Sequence, residues 1–239
     1  MLYQDQTTLF QPVSSGVISQ TFGAVMRQVY LWMAVGLLLT AGVAAFVTAS
    51  PLMAIVASNP FLLFGLLIVE VVLVFGIALG INRLSPTVAV GLFLLYAALN
   101  GVTLALIFAV YTLGSIALAA VATAGLFGAM SIIGYTTQVD LTRYGSYFLM
   151  ALIGLFIAVI VDAFWANSIF DWIVTLAAIL LFIGLTAYDT QSIKQQMMVA
   201  LNQGDDNLIA RSAILGALRL YLDLINLFLW LLRLTGQRR

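Results

Sequence analysis

Few residues in this chain are equipped for chemistry. It contains no Cys and no His, which excludes disulfides, thiolate or imidazole metal sites, and catalysis by a Ser-His or Cys-His pair. Carboxylates remain, and three of them, Glu70, Asp189 and Asp223, stand inside long apolar runs. An acid in such surroundings needs a partner, a proton or water, so each is a candidate functional group. Asp189 shares a helical face with Thr186, and Asp223 lies in the next apolar run. Two aspartates brought together share a proton and titrate as a pair, which makes a pH sensor. The alternative for Asp189 is an ordinary cap paired with Lys194. Glu70 also has two readings: a neutral acid hydrogen-bonded to another helix, or part of an ion path.

Around Asp223 the spacing is regular. Ser212, Gly216, Arg219, Asp223, Asn226, Trp230 and Arg233 recur at intervals of four, three, four, three, four and three residues. That places them on one face of a helix whose other faces are Leu, Ile and Phe. A lipid-facing helix could not tolerate such a stripe, so this helix is expected to lie centrally, with the stripe against protein or a water-filled cavity. Arg219, one turn before Asp223, either neutralises it or belongs to the same functional surface. A base preceding its acid is the weaker order for a local pair.

The elements that carry these residues follow from composition. Of 239 residues, 64% are hydrophobic and 8% charged, against roughly 45 to 50% and about 25% in soluble domains. Too few charges exist to solvate a surface, and the expected class is an all-α integral membrane protein. A hydrocarbon core of about 30 Å takes about 20 helical residues, and seven apolar runs are long enough. They are 22–49, 61–80, one opening near Pro86, one ending near Tyr135, 144–161, 172–189 and 213–234. Ser50, Pro51, Ser58, Asn59 and Pro60 separate the first two, and the stretch from Tyr111 to Ser115 separates the third from the fourth. The runs are continuously apolar rather than alternating, which argues for helices over barrel strands.

Residues 22–239 therefore read as one seven-helix domain behind a polar cytosolic tail, 1–21. The tail lacks the basic start and short apolar core of a signal peptide. On this reading Asp189 sits at the C-terminal end of the sixth helix, the unfavourable end of the macrodipole for an acid. Residues 195–212 form a polar loop.

Nine bases balance nine acids, which removes any bulk electrostatic attraction to nucleic acid. Arg27 precedes the first span, Arg83 follows the second, Arg143 the fourth, and Lys194 and Arg211 the sixth; the connections after the first, third and fifth carry no base. The positive-inside rule puts the N-terminus in the cytoplasm. Arg233, Arg238 and Arg239 break the pattern if the seventh span crosses fully, yet a full crossing is what its length supports.

The segments GLTAYDTQSIK (184–194) and LGALRLYLDLINLFLWLLRLTG (215–236) resemble the two signature stretches of the transmembrane Bax inhibitor motif family, in its bacterial branch. The likeness extends to GLFGAMSIIGYTT (125–137) and VYLWMAVG (29–36), and so covers nearly the whole chain. The resemblance implies six helices around a central seventh in the bacterial inner membrane. It implies a pH-sensitive calcium leak gated by an aspartate pair on the last two helices, Asp189 of AYDT and Asp223 of LYLD. It also implicates an arginine near the end of the second helix in the closed state, and Arg83 is the base available there. Calcium is then the transported ion, with no cofactor. Because calcium takes six to eight oxygen ligands, two aspartates with a few amides and hydroxyls would hold it weakly and transiently.

The chain reads as a non-enzyme. An intramembrane aspartyl protease also places aspartates in successive spans, but it needs a Gly-x-Gly-Asp run where this chain has Leu220, Tyr221, Leu222 and Asp223. It also uses a later Pro-Ala-Leu element, and no Pro follows Pro86. A rival function within the same resemblance is a modulator that binds a membrane-anchored ATP-dependent protease, docking through 1–21 or 195–212. A secondary transporter fits less well, because paired Gly or Pro breaks at mid-span are not evident.

Overall fold

The computed structural model describes residues 15–81, 83–165 and 167–237. The described helices run in the order α1 (Ser15–Ala49), α2 (Leu52–Ser58), α3 (Pro60–Gly80), α4 (Pro86–Leu104), α5 (Ile107–Val110), α6 (Leu113–Thr136), α7 (Gly145–Trp165), α8 (Ser168–Gln203) and α9 (Asp206–Thr235). A short 3-10 turn, Leu141–Tyr144, precedes α7. Among the described residues, seven segments are long and apolar enough to cross a membrane: α1 from Gly23 onward, α3, α4 continued into α5, α6, α7 with its preceding turn, α8 and α9. Their outer faces carry Phe61, Phe164 and Leu79 at 89, 87 and 82% exposure. Water would penalise such a surface and lipid does not, so the protein is a seven-span, all-α integral membrane protein.

Local chemistry explains where the helices begin. Asn59 Oδ1 accepts from the Leu62 N–H at 3.1 Å, and Ser85 Oγ accepts from the Val88 N–H at 3.3 Å. Pro60 and Pro86 follow these caps at the first helical position, where no N–H is required. Thr112, Asn167 and Asp205 cap α6, α8 and α9 in the same manner.

α9 is the most buried of the spans and packs most closely against α8, α1, α6 and α4. α3 leans chiefly on α4 and α7 chiefly on α8. The six helices expected around the seventh are thus four close neighbours and two flanking helices, with α7 set off from most of α9 by a cleft. Small residues permit the closest crossings, as helices in lipid require. A Cβ on Gly134 of α6 would run into the backbone of Ala187 in α8, and one on Gly101 of α4 would lie 2.7 Å from the Thr40 carbonyl of α1.

Several boundaries differ from the sequence-based expectation. The sixth span does not end at Asp189: α8 continues unbroken to Gln203, so Asp189 is an interior residue and the macrodipole argument does not apply to it. Hydropathy marks where a helix leaves the apolar layer, not where its hydrogen bonding stops. Residues 195–212, expected as a loop, are the tip of a helical hairpin that turns at Gly204, whose φ of +67° suits a residue without a Cβ. The third span breaks at Ala105 and Leu106 into the short α5, with no Pro to mark it. Of the expected tail, residues 1–14 lie outside the described residues, and α1 already begins at Ser15.

The seventh span crosses completely. The backbone N–H of Thr112, in the α5–α6 connection, donates to the Gln237 carbonyl at 3.2 Å, and the Gln237 N–H donates to Ser115 Oγ at 2.9 Å. The end of α9 therefore lies on the side reached after three crossings. Arg238 and Arg239 lie outside the described residues.

Candidate functional site

Two antiparallel helices bring the acids together. α8 and α9 form the most extensive helix pair in the fold, and Ile193 of α8 packs on Gly216 of α9, whose missing side chain lets the helices close. One helical turn deeper on α8, Asp189 comes within hydrogen-bonding reach of Asp223. Asp189 is half-buried and Asp223 only 4% exposed. Two ionised carboxylates have no hydrogen to offer each other, and Asp223 Oδ2 is buried without a hydrogen-bond partner. A single proton between the two acids would supply the missing bond.

The pair lines a cleft of about 450 Å³ between α7, α8 and α9. Arg219, Asp223, Asn226 and Trp230 all face it, so the middle of the periodic stripe is one physical wall, while Gly216 packs on Ile193 and Ser212 and Arg233 lie beyond the cleft at either end. The apolar wall opposite is built by Leu152, Leu155, Phe156 and Val159 of α7. Arg219 acts on both carboxylates through space; among the described residues no ion pair within 4 Å joins it to either. Asn226 Nδ2 donates to the Leu222 carbonyl at 2.8 Å, which fixes the orientation of its amide.

A polar clamp supports α8 beside Asp189. Gln191 Oε1 accepts from the Leu141 N–H at 2.6 Å, while its Nε2 donates to the Val139 carbonyl at 2.8 Å. Lys194 Nζ donates to the Tyr135 carbonyl at 2.9 Å and lies 4.9 Å from the Tyr135 ring centroid. The base expected as a partner for Asp189 is thus engaged with the last turn of α6 instead.

Glu70 belongs to a different network, outside the cleft. Its Oε2 accepts from Asn100 Nδ2 at 3.3 Å and its Oε1 from Thr103 Oγ1 at 3.0 Å. Tyr221 OH donates to Asn100 Oδ1 at 3.1 Å and stands 2.6 Å from the Thr40 hydroxyl. The chain of bonds ties α3, α4, α9 and α1 together, which is the geometry of an acid hydrogen-bonded to neighbouring helices. Arg83 is exposed in the turn between α3 and α4 and does not line the cleft.

Two acids escaped the sequence reading. Arg233 Nη2 bonds Asp162 Oδ2 at 2.7 Å and also bonds Asp171 Oδ1. The signal available was charge at span ends, one acid closing the fifth span and another opening the sixth, opposite the unexplained base of the seventh.

Seven membrane-crossing helices with an acid pair in a cleft beside the most buried one define a polytopic membrane protein with intramembrane carboxylates. The chain belongs to the Bax inhibitor family: the family model described as "Inhibitor of apoptosis-promoting Bax1" matches residues 23–239. It is 46% identical over 231 residues to the inner membrane protein YbhL of Escherichia coli K12, covering 95% of this chain and 98% of that protein. It is 43% identical over 216 residues to an uncharacterized protein of Borreliella burgdorferi, covering 90 and 92%. An uncharacterized protein of Rickettsia prowazekii, RP147, is 42% identical over 220 residues, covering 90 and 89%.

Proposed function

We propose that this protein is a pH-sensitive calcium leak of the bacterial inner membrane, gated by a proton shared between Asp189 and Asp223. The observation that carries the reading is that Asp223 stands beside Asp189 at the α8–α9 contact with one buried carboxylate oxygen, Oδ2, left without a hydrogen-bond partner. When a proton joins the two acids they hold α8 and α9 together; when it leaves, two like charges at contact repel each other, and the cleft against α7 gains a doubly anionic site for a passing cation. Among the described residues no third carboxylate joins the pair, so calcium would be held transiently, as a conduit requires. Arg219, on the same wall, opposes an excess of cations there.

The N-terminus is cytoplasmic on this reading. Arg83, Arg143, Lys194 and Arg211 then lie on the cytoplasmic side, and Arg233, at the other end, is neutralised by Asp162 and Asp171.

The test is calcium flux into liposomes holding the purified wild type, Asp189→Asn or Asp223→Asn, scanned from about pH 5 to 8, a window that spans shifted carboxyl groups. Wild-type flux is expected to vary with pH, and each variant to flatten that dependence. Equal pH curves for all three proteins would sink the dyad. No flux above empty liposomes at any pH would overturn the conduit and favour a modulator that acts by contact with a membrane-bound protease.

A further inference from the structure

At the end of α9 remote from the hairpin, Asp162, Asn167, Ser168, Asp171 and Arg233 bound a separate cavity of about 370 Å³. Asp162 is the buried residue of α7, 9% exposed. Its Oδ2 is held by Arg233, but its Oδ1 is buried with no hydrogen-bond partner. Among the described residues, two acids face one base here, one negative charge in excess. Moreover, a single guanidinium nitrogen, Nη2, serves both carboxylates. That nitrogen marks the point between the two acids that any other cation would occupy.

We propose that this cavity is a divalent-cation exchange site, in which a calcium-sized ion displaces Arg233 from between Asp162 and Asp171. The buried Asp162 Oδ1 then gains the partner it lacks. Asp171, 44% exposed at its side chain, keeps the site open to solvent, and the Ser168 hydroxyl and water complete the shell. Asn167 Oδ1 contributes nothing, since it already caps the Ile169 and Phe170 N–H groups. Two carboxylates with an internal competitor imply weak binding, in the range of about 0.1 to 1 mM known for open calcium modules.

The displaced guanidinium has a place to go. Arg233 already lies 5.3 Å from the ring centroid of Trp230, and Trp230 also lines the cleft of the aspartate pair. Asp223 lies ten residues earlier on α9 than Arg233, about 15 Å along the axis, so the site stands at the outer end of the same stripe. Its role as the mouth of a conduit rests on the function proposed above; the binding of a cation does not.

Terbium(III), a calcium-sized ion whose emission is sensitised by nearby tryptophan, is the probe. The full-length protein in detergent carries Asp189→Asn and Asp223→Asn, which removes the acid pair as a competing site. Saturable terbium emission displaced by calcium is expected. Asp162→Asn should weaken it at least about tenfold, and Arg233→Gln should strengthen it by a similar factor because the competitor is gone. Arg233→Lys, which keeps the charge, guards against a folding defect, and thermal melts accompany every variant. The proposal is overturned if no calcium-displaceable emission appears up to about 10 mM calcium, an order above the weakest such modules, or if Asp162→Asn leaves emission unchanged in a folded protein. Because the measurement involves no flux, its outcome stands whether or not the liposome experiment succeeds.

Discussion

Tyr221 and Asp223 stand two positions apart on α9 and serve opposite sides of it. The offset is about 200° around the axis, so Tyr221 donates to Asn100 in the Glu70 network while Asp223 faces Asp189 and the cleft. One helix thus separates two polar systems. The first joins helices; the second has an unsatisfied acid and space beside it.

The two systems should respond differently to mutation. Tyr221→Phe leaves Asn100 Oδ1 without its donor, and Glu70→Gln removes a carboxylate that accepts two bonds. Each is expected to destabilise the protein by about 1 kcal/mol, within the range measured for hydrogen bonds between membrane helices, seen as a lower melting temperature in detergent. Both should keep the pH dependence of flux that the aspartate variants lose. Loss of that dependence in Glu70→Gln would place Glu70 in the conduit.

The α6–α8 crossing should be intolerant of side chains. Gly134→Ala places a methyl against the Ala187 backbone, two residues from Asp189, whereas Gly128→Ala meets nothing within 4 Å. The first is expected to cost about 1 to 3 kcal/mol through overpacking, and the second to leave the melting temperature unchanged or raise it slightly.

Orientation is testable because the chain has no native Cys. A charged, membrane-impermeant maleimide should label Asn202→Cys, in the hairpin, from the side that carries Arg83 and Arg143. Ser58→Cys, between the first two spans, should label from the other. Both positions are exposed. Labelling of both from one face would contradict the alternation of spans.

Asp140 offers a pH test outside the membrane. Bonds from the Thr142 hydroxyl, then from Arg143 and the Thr142 N–H, hold its carboxyl below the ordinary value of 3.8. A lowered value means that the stabilisation is present above the unfolded value and fades as pH falls through the folded one. The small difference in melting temperature between wild type and Asp140→Asn should therefore be present at pH 7 and close as pH drops below about 3.8. A gap that widens in acid would refute the assignment.

Composition and periodicity alone determined the membrane class, the seven spans and the stripe on the last helix, because lipid imposes its length and polarity requirements residue by residue along the chain. The family resemblance pointed to the pairing of Asp189 with Asp223. Tertiary structure decided what depends on neighbours distant in sequence. Lys194 looked like a partner for Asp189, but the fold gives it the Tyr135 carbonyl. Glu70 and Asp223 looked alike as buried acids, but Asn100 and Thr103 donate to Glu70 while an oxygen of Asp223 has no donor. Arg233 looked like an exception to the charge rule until α7 and α8 brought Asp162 and Asp171 to it. A hydrogen-bond partner is fixed by which helices touch, and no local pattern in this sequence specifies that.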